Sequence, residues 1–223
     1  MKIEGDSSGY EIFNNCISSL KNPIGVSLEI GVRRGLGSAT IIDSYRDIHS
    51  DIDLIHIGID PYGSLPYSLT EKNKEVLDYN TQMKRETLVT LTTKYEEYNF
   101  VPMTDTFYFK AFKNGYPIYE DKEKLINQYE LVHFDGQHDL KSVMKAVEFF
   151  TKRVADQTYF IFDDIDVYDH SQVVSYLKNR GFTDFVTTSG RFDEHYNTTF
   201  EKKHAMVYNK WNQLADQKSH IIN

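Results

Sequence analysis

Apolar residues fall along this chain in two rhythms. Four short runs, Val26-Ser27-Leu28-Glu29-Ile30, Leu54-Ile55-His56-Ile57-Gly58-Ile59, Glu130-Leu131-Val132-His133-Phe134 and Thr158-Tyr159-Phe160-Ile161-Phe162, stop at Gly31, Asp60, Asp135 and Asp163. Runs this short and this apolar predict strands covered on both faces, as in a parallel sheet between layers of helices. A weaker run, Tyr98 to Pro102, predicts another strand ahead of the polar pair Thr104-Asp105.

Between the runs, apolar positions recur at steps of three and four. Leu140, Val143, Val147, Phe150 and Val154 share one face of a helix predicted from Asp139 to Arg153, with Asp139 as its cap. A second helix is predicted from Asp169 to Arg180, where Asp169 and Gln172 are spaced as a capping box and Gly181 lies just past the end. A third runs from about Tyr79 to Glu97. The polar stretch Pro61 to Asp78, with Gly63, Pro66 and Ser68, predicts an irregular loop over the sheet edge.

After Gly181 the runs Phe182 to Thr188 and His204 to Tyr208 are joined by a polar connector without helical pattern. They are expected to pair antiparallel, because a parallel neighbour needs a crossover. The expected fold is α/β: one domain over residues 1–223, with its core at about 24–210, built as a Rossmann-like doubly wound sheet. That sheet is mostly parallel with a terminal antiparallel strand. The tail after Trp211 reads as surface chain.

Composition narrows the partners. Among 223 residues, 40% are hydrophobic, including 16 Tyr and 14 Phe, which favours a packed core over disorder. The formal charge of −8 opposes a nucleic-acid partner. Cys16 is the only cysteine, so neither an intrachain disulfide nor a thiolate metal cluster can form. A polar, acidic amino terminus and the lack of any run near the roughly 20 apolar residues of a membrane span lead us to expect a cytoplasmic protein without a membrane partner.

The turn after the first run reads Glu29-x-Gly31-x-x-x-Gly35. A dinucleotide site would want Gly-x-Gly-x-x-Gly, so that pyrophosphate can rest on the helix start. A carboxylate at Glu29 opposes a diphosphate but suits a ligand bearing an ammonium and a sulfonium, whose carboxylate could fall to Arg33, Arg34 or the helix amides. S-adenosylmethionine has those charges. Glu29, Gly31 and Gly35 are therefore candidate cofactor residues, beside the plainer reading of a strand-to-helix turn. Asp60, closing the next strand, suits two ribose hydroxyls or a turn; Asp105 suits an adenine amine or a helix cap.

Asp135, Asp163 and Asp164 would repel one another if their strands were adjacent. Mg²⁺ or another hard divalent cation would relieve that repulsion, while the alternative is that Asp135 and Asp163 cap turns or orient substrate without a metal. His138, with an ordinary pKa near 6.5, is a candidate general base or a capping residue. His133, inside a strand, reads as a core histidine, and Asp166, Tyr168 and His170 fall where an acceptor pocket would lie.

Taken together, Leu28-Glu29-Ile30-Gly31 with Gly35, Gly58-Ile59-Asp60, Phe134-Asp135-Gly136-Gln137-His138 and Phe162-Asp163-Asp164 resemble class I S-adenosylmethionine-dependent methyltransferases. The resemblance spans roughly Ser27 to Gly181 and is nearest to the class-24 methyltransferase and macrocin O-methyltransferase-like families. It implies a seven-stranded sheet with the last strand antiparallel, and a cofactor bordered by Glu29, Gly31 and Asp60. In metal-dependent relatives it further implies Mg²⁺ on Asp135, Asp163 and Asp164. In catechol-type relatives a basic residue at the position of His138 takes the hydroxyl proton.

The chain departs from the pattern in a Gly37-Ser38 turn one residue longer than the common Gly-x-Ser form. Pro61 to Asp78 also matches no acceptor-pocket signature. The expected activity is metal-assisted O-methylation of a small hydroxylated acceptor such as a sugar. A cofactor-binding module without turnover is one rival. An NAD-dependent oxidoreductase is another, opposed by Glu29 and the glycine spacing.

Overall fold

A computed structural model of the chain describes residues 3, 5, 7–68, 74–119, 123–195 and 197–211. In chain order the elements begin with α1 (Glu11–Ser18), β1 (Val26–Ile30), α2 (Leu36–Ile48), β2 (Ile55–Ile59), β3 (Gly63–Ser68), β4 (Lys74–Tyr79), α3 (Thr81–Lys94) and β5 (Tyr98–Val101). They continue with α4 (Asp105–Ala111), β6 (Tyr116–Tyr119), β7 (Glu123–Ile126), β8 (Tyr129–Phe134), α5 (Leu140–Phe150) and β9 (Val154–Phe162). The last are α6 (Ser171–Lys178), β10 (Phe182–Thr187), β11 (Arg191–Asp193), β12 (Thr198–Phe200) and β13 (His204–Asn209).

Seven strands form one sheet in the order β10-β13-β9-β8-β1-β2-β5. From β9 to β5 every pairing is parallel. The late pair is antiparallel as expected, with β13 inserted between β9 and β10 and antiparallel to both. The chain order reverses direction at β1, with β8 on one side and β2 on the other, so a crevice opens beyond the carboxyl ends of these strands.

The period of two along each strand sorts side chains onto two faces. Leu28, Ile30, Ile57, Val132, Phe134, Phe160 and Phe162 pack with Val143, Val147 and Phe150 of α5 and Val173 and Leu177 of α6. Leu131, Tyr159 and Ile161 pack on the other face with Ile12 and Phe13 of α1, Ile41, Ile42 and Tyr45 of α2 and Leu91 of α3. Phe150 is closed to solvent, and truncating such a ring costs about 3–5 kcal/mol. Glu130, at the opposite end of the sheet from the crevice, is buried because Gly25 N–H and the Tyr45 hydroxyl both donate to it at 2.8 Å, pinning the entry to β1.

The helix starts follow their caps. Asp139 accepts from Ser142 N–H and Asn80 accepts from Met83 N–H. The second predicted helix differs at its start: His170 stands at the N-cap position, and Asp169 instead takes Ser171 N–H at 2.9 Å. Gly181 has φ 82°, the left-handed conformation expected beyond a helix end.

The described parts of the stretch 61–78 form strands rather than the expected irregular loop. β3 pairs antiparallel with β4, with Gly63 opposite Tyr79, and 69–73 lie outside the described residues. Two further ribbons, β6 with β7 and β11 with β12, also went unpredicted. The predicted surface tail, from residue 212 on, lies outside the described residues. Among the described residues, no helix is long and apolar enough to cross a membrane.

Candidate active site

The carboxyl ends of β1, β2 and β8 open onto a cavity of about 420 Å³. Ile30 and Ile59 line it at the strand ends, and Gly31, Asp60, Asp105, Asp135, His138 and Asp164 border it. The β3–β4 ribbon contributes Gly63, Leu65 and Tyr79. The volume lies within the range of small-molecule sites, and acids at several strand ends suit a ligand carrying positive charge.

Gly31 is required by close packing. Its φ is +89°, and a Cβ there would lie 2.0 Å from the Asp135 carbonyl oxygen. Asp135 N–H donates to Ile30 O at 2.9 Å, so the turns after β1 and β8 are laced together at this point.

Asp60 organises the glycine turn through its side chain. Oδ2 accepts from Val32 N–H at 3.1 Å and Arg33 N–H at 2.9 Å, and Oδ1 accepts from Tyr62 N–H at 2.8 Å. Burial raises its pKa, against these three donors. Arg33 sits at φ 45° beside it, and its carbonyl receives the hydroxyls of Tyr62 at 2.6 Å and Thr87 at 3.0 Å. Gly35, φ +86°, precedes α2 and is packed against Leu91 and Thr87 rather than on the cavity. Asp105 is the first residue of α4, behind the Thr104 cap. Its carboxylate takes Thr106 N–H at 2.6 Å, and burial raises its pKa.

Glu29 takes a different place from the one expected of a direct cofactor contact. It does not line the cavity but points under α2, 1% exposed. Ser38 donates to Oε2, and His133 Nδ1 lies 3.0 Å from Oε1. The Ser38 hydroxyl also stands 3.0 Å from His56 Nε2, and His56 Nδ1 stands 2.8 Å from the Ser27 hydroxyl. The polar strand residues Ser27, Glu29, His56 and His133 therefore form one buried network beneath the first turn of α2. The positive end of that helix favours the Glu29 anion.

The acids after β8 and β9 separate by role. Donor atoms of His133, Asp135 and Asp163 come within 4.8 Å of one another, but Asp164 is outside that group. Asp164 adopts φ 51° and turns to His138, whose Nε2 is 3.8 Å from its Oδ2. Asp163 turns inward to Lys203, with Nζ 2.6 Å from Oδ2, a residue that sequence reasoning passed over. Burial alone would raise Asp163, yet the Lys203 charge overrides it and holds the carboxyl below its ordinary range. Burial and the neighbouring Asp163 push Asp135 well up.

Burial pushes His138 down to about 4, so its imidazole is neutral at pH 7. Its ring stacks on Tyr168 at 4.4 Å between centroids. Burial, reinforced by Asp163, pushes Asp164 up to about 7. Of the other residues expected near an acceptor, Tyr168 lines the cavity; Asp166 accepts Lys202 N–H, and His170 packs against Phe162.

A family model described as a methyltransferase domain matches residues 28–165, from β1 to just past β9. Among solved structures, the O-methyltransferase NovP superposes with TM-score 0.57 at 16% identity, covering 90% of this chain and 78% of NovP. An rRNA methylase from Streptococcus thermophilus superposes at 0.53 and 10% identity, covering 89% and 95%. A Streptococcus mutans protein solved in complex with SAH superposes at 0.53 and 9% identity, covering 88% and 96%. A sequence search of curated proteins gives no match.

Proposed function

This chain belongs to the methyltransferase-domain family and is an S-adenosylmethionine-dependent methyltransferase, and from that premise we propose that it methylates a hydroxyl oxygen of a small acceptor such as a sugar. The observation that carries the proposal is the meeting, around one cavity, of an acid-bordered cofactor crevice and the His138–Asp164 pair. Gly31 keeps the turn tight, Asp60 holds the turn's amides in place, and Asp60 and Asp105 offer oxygen acceptors along the cofactor's length. When bound, S-adenosylmethionine supplies a methyl group already activated by its sulfonium.

The protein's remaining task is to align the acceptor and take its proton. His138 is neutral at pH 7 and open to protonation, but burial weakens it as a base, so taking that proton depends on a compensating charge beside it. Asp164, 3.8 Å from Nε2, is placed to stabilise the imidazolium that results. Tyr168 fixes the plane of the ring by stacking. Leu65 and Tyr79 of the ribbon give the crevice an apolar and aromatic wall. The divalent ion implied by the family resemblance fits this geometry poorly, because Asp164 stands apart and Asp163 already holds an ammonium.

The net charge of −8 favours a small acceptor over an RNA such as the one named for the S. thermophilus neighbour. Calorimetry with S-adenosylmethionine, SAH and NAD, followed by product release over a panel of sugars, phenols and RNA, tests the reading. Binding of the first two with methyl ether formation on a small alcohol is expected. Preference for NAD, or methylation of RNA alone, would overturn it.

A further inference from the structure

Lys203 precedes β13 and is 0% exposed, although nothing in its local sequence separates it from a solvated lysine. Its ammonium lies 2.6 Å from Asp163 Oδ2 and donates to the Ser7 hydroxyl at 2.6 Å. It also rests over the Tyr10 ring, 5.1 Å from the centroid. Ser7 in turn donates to Asp163 Oδ2 at 3.2 Å, and Asp163 Oδ1 accepts Asp164 N–H at 2.9 Å. The carboxylate at the end of β9 is thus held from the rear by a cation and a hydroxyl, and from the front by the turn that presents Asp164.

A buried carboxylate needs a compensating charge. The family resemblance gives that duty to a divalent ion; here a covalent part of the chain performs it. An ion seated among His133, Asp135 and Asp163 would share Asp163 with an ammonium already at contact distance. A dication and a monocation at such separation repel strongly, the more so because His133, Asp163 and Lys203 are buried. We propose that Lys203 stands in place of the metal, so that methyl transfer in this protein proceeds without a divalent cation. Lys203 then acts as a positioning residue: it fixes Asp163, which fixes the left-handed Asp164 turn, which faces His138. The proposal rests on the methyltransferase reading.

The test uses the full chain with SAH bound and Mn²⁺ as the probe, free Mn²⁺ being read by electron paramagnetic resonance. The wild type is expected to leave the free Mn²⁺ signal undiminished and to keep its methyl-transfer rate in EDTA. Lys203→Ala, if folded by circular dichroism, is expected to gain Mn²⁺ affinity by on the order of a hundredfold, since a like charge near the ion has been removed. A purely structural lysine would not produce that gain.

Stoichiometric Mn²⁺ uptake by the wild type, abolished in Asp163→Asn or His133→Gln, would overturn the proposal. So would a folded Lys203→Ala that takes up no Mn²⁺. If Lys203→Ala does not fold, the wild-type titration still decides, and the double variant Lys203→Met with Asp163→Asn, which removes both charges, is expected to fold. SAH calorimetry on the same samples reports separately on the methyltransferase reading: failure of SAH to bind sinks that reading and leaves the Mn²⁺ result standing.

Discussion

Glu29 and His133 face each other directly across the β1–β8 ladder, and their side chains meet with Oε1 3.0 Å from Nδ1. The carboxylate at the end of β1 is therefore a structural anchor beneath the turn that borders the crevice. A Cβ at Gly37 would lie within bond distance of Glu29 Oε1, so the glycine exists to admit the carboxylate under α2. Gly37→Ala should lower stability by about 1–3 kcal/mol through overpacking, read by urea unfolding. Glu29→Ala should cost about as much by stripping His133 and Ser38 of their acceptor. A Gly37→Ala variant within about 0.5 kcal/mol of wild type would contradict this packing.

The same network makes stability depend on pH. Burial pushes His56 down to about 4, with Glu29 and Glu97 opposing the shift and His133 adding to it. Between about 6.5, the ordinary value, and about 4, the unfolded chain binds a proton at this site that the folded chain does not. Its contribution is complete above pH 6.5 and is lost as pH falls toward 4, amounting to about 3 kcal/mol. His56→Gln should flatten that part of the stability profile relative to wild type. Equal slopes for both proteins would show that His56 takes up its proton alike in the folded and unfolded chain, so that burial does not shift it.

Much of the sheet was legible because parallel strands buried on both faces leave unbroken apolar runs, and β1, β2, β8 and β9 do so. Their stops at Gly31, Asp60 and Asp135 fall at the crevice because the strands end there in turns, while Asp163 turns inward to Lys203. The direction of Glu29 was also available, since Ser27, Glu29, His56 and His133 occupy one face by period two. What misled was the glycine turn beside it, which draws attention to ligands. The ribbon at 63–68 and 74–79 was hidden because Gly63, Pro66 and the polar residues of this stretch give the sequence no clean strand-like alternation. Lys203 was invisible because its burial comes from Ser7, 196 residues away in the chain.

Asp60 holds three backbone N–H groups around the glycine turn, and under the proposed function its removal should act on cofactor binding first. Asp60→Ala leaves Val32, Arg33 and Tyr62 amides without their acceptor, each worth about 1 kcal/mol. Dissociation of SAH should accelerate so that Kd rises by about tenfold or more, measured by calorimetry at a temperature where the variant remains folded. An unchanged Kd would remove Asp60 from the cofactor site.

His138→Gln retains polarity but cannot carry a proton. With an acceptor in hand, kcat should fall by about 10²- to 10⁴-fold while SAH affinity stays at the wild-type level. Asp164→Asn should lower kcat less, and mainly above pH 7 where Asp164 is ionised, because it removes the partner carboxylate and leaves the imidazole. A kcat for His138→Gln close to wild type would assign the proton to another group.

The most direct test of the whole account is a crystal structure of the chain with SAH. The account places the ligand in the cavity at the ends of β1, β2 and β8, with its ribose beside Asp60, its adenine toward Asp105, and its sulfur facing His138 and Asp164. Well-ordered SAH bound anywhere else on the protein would contradict it.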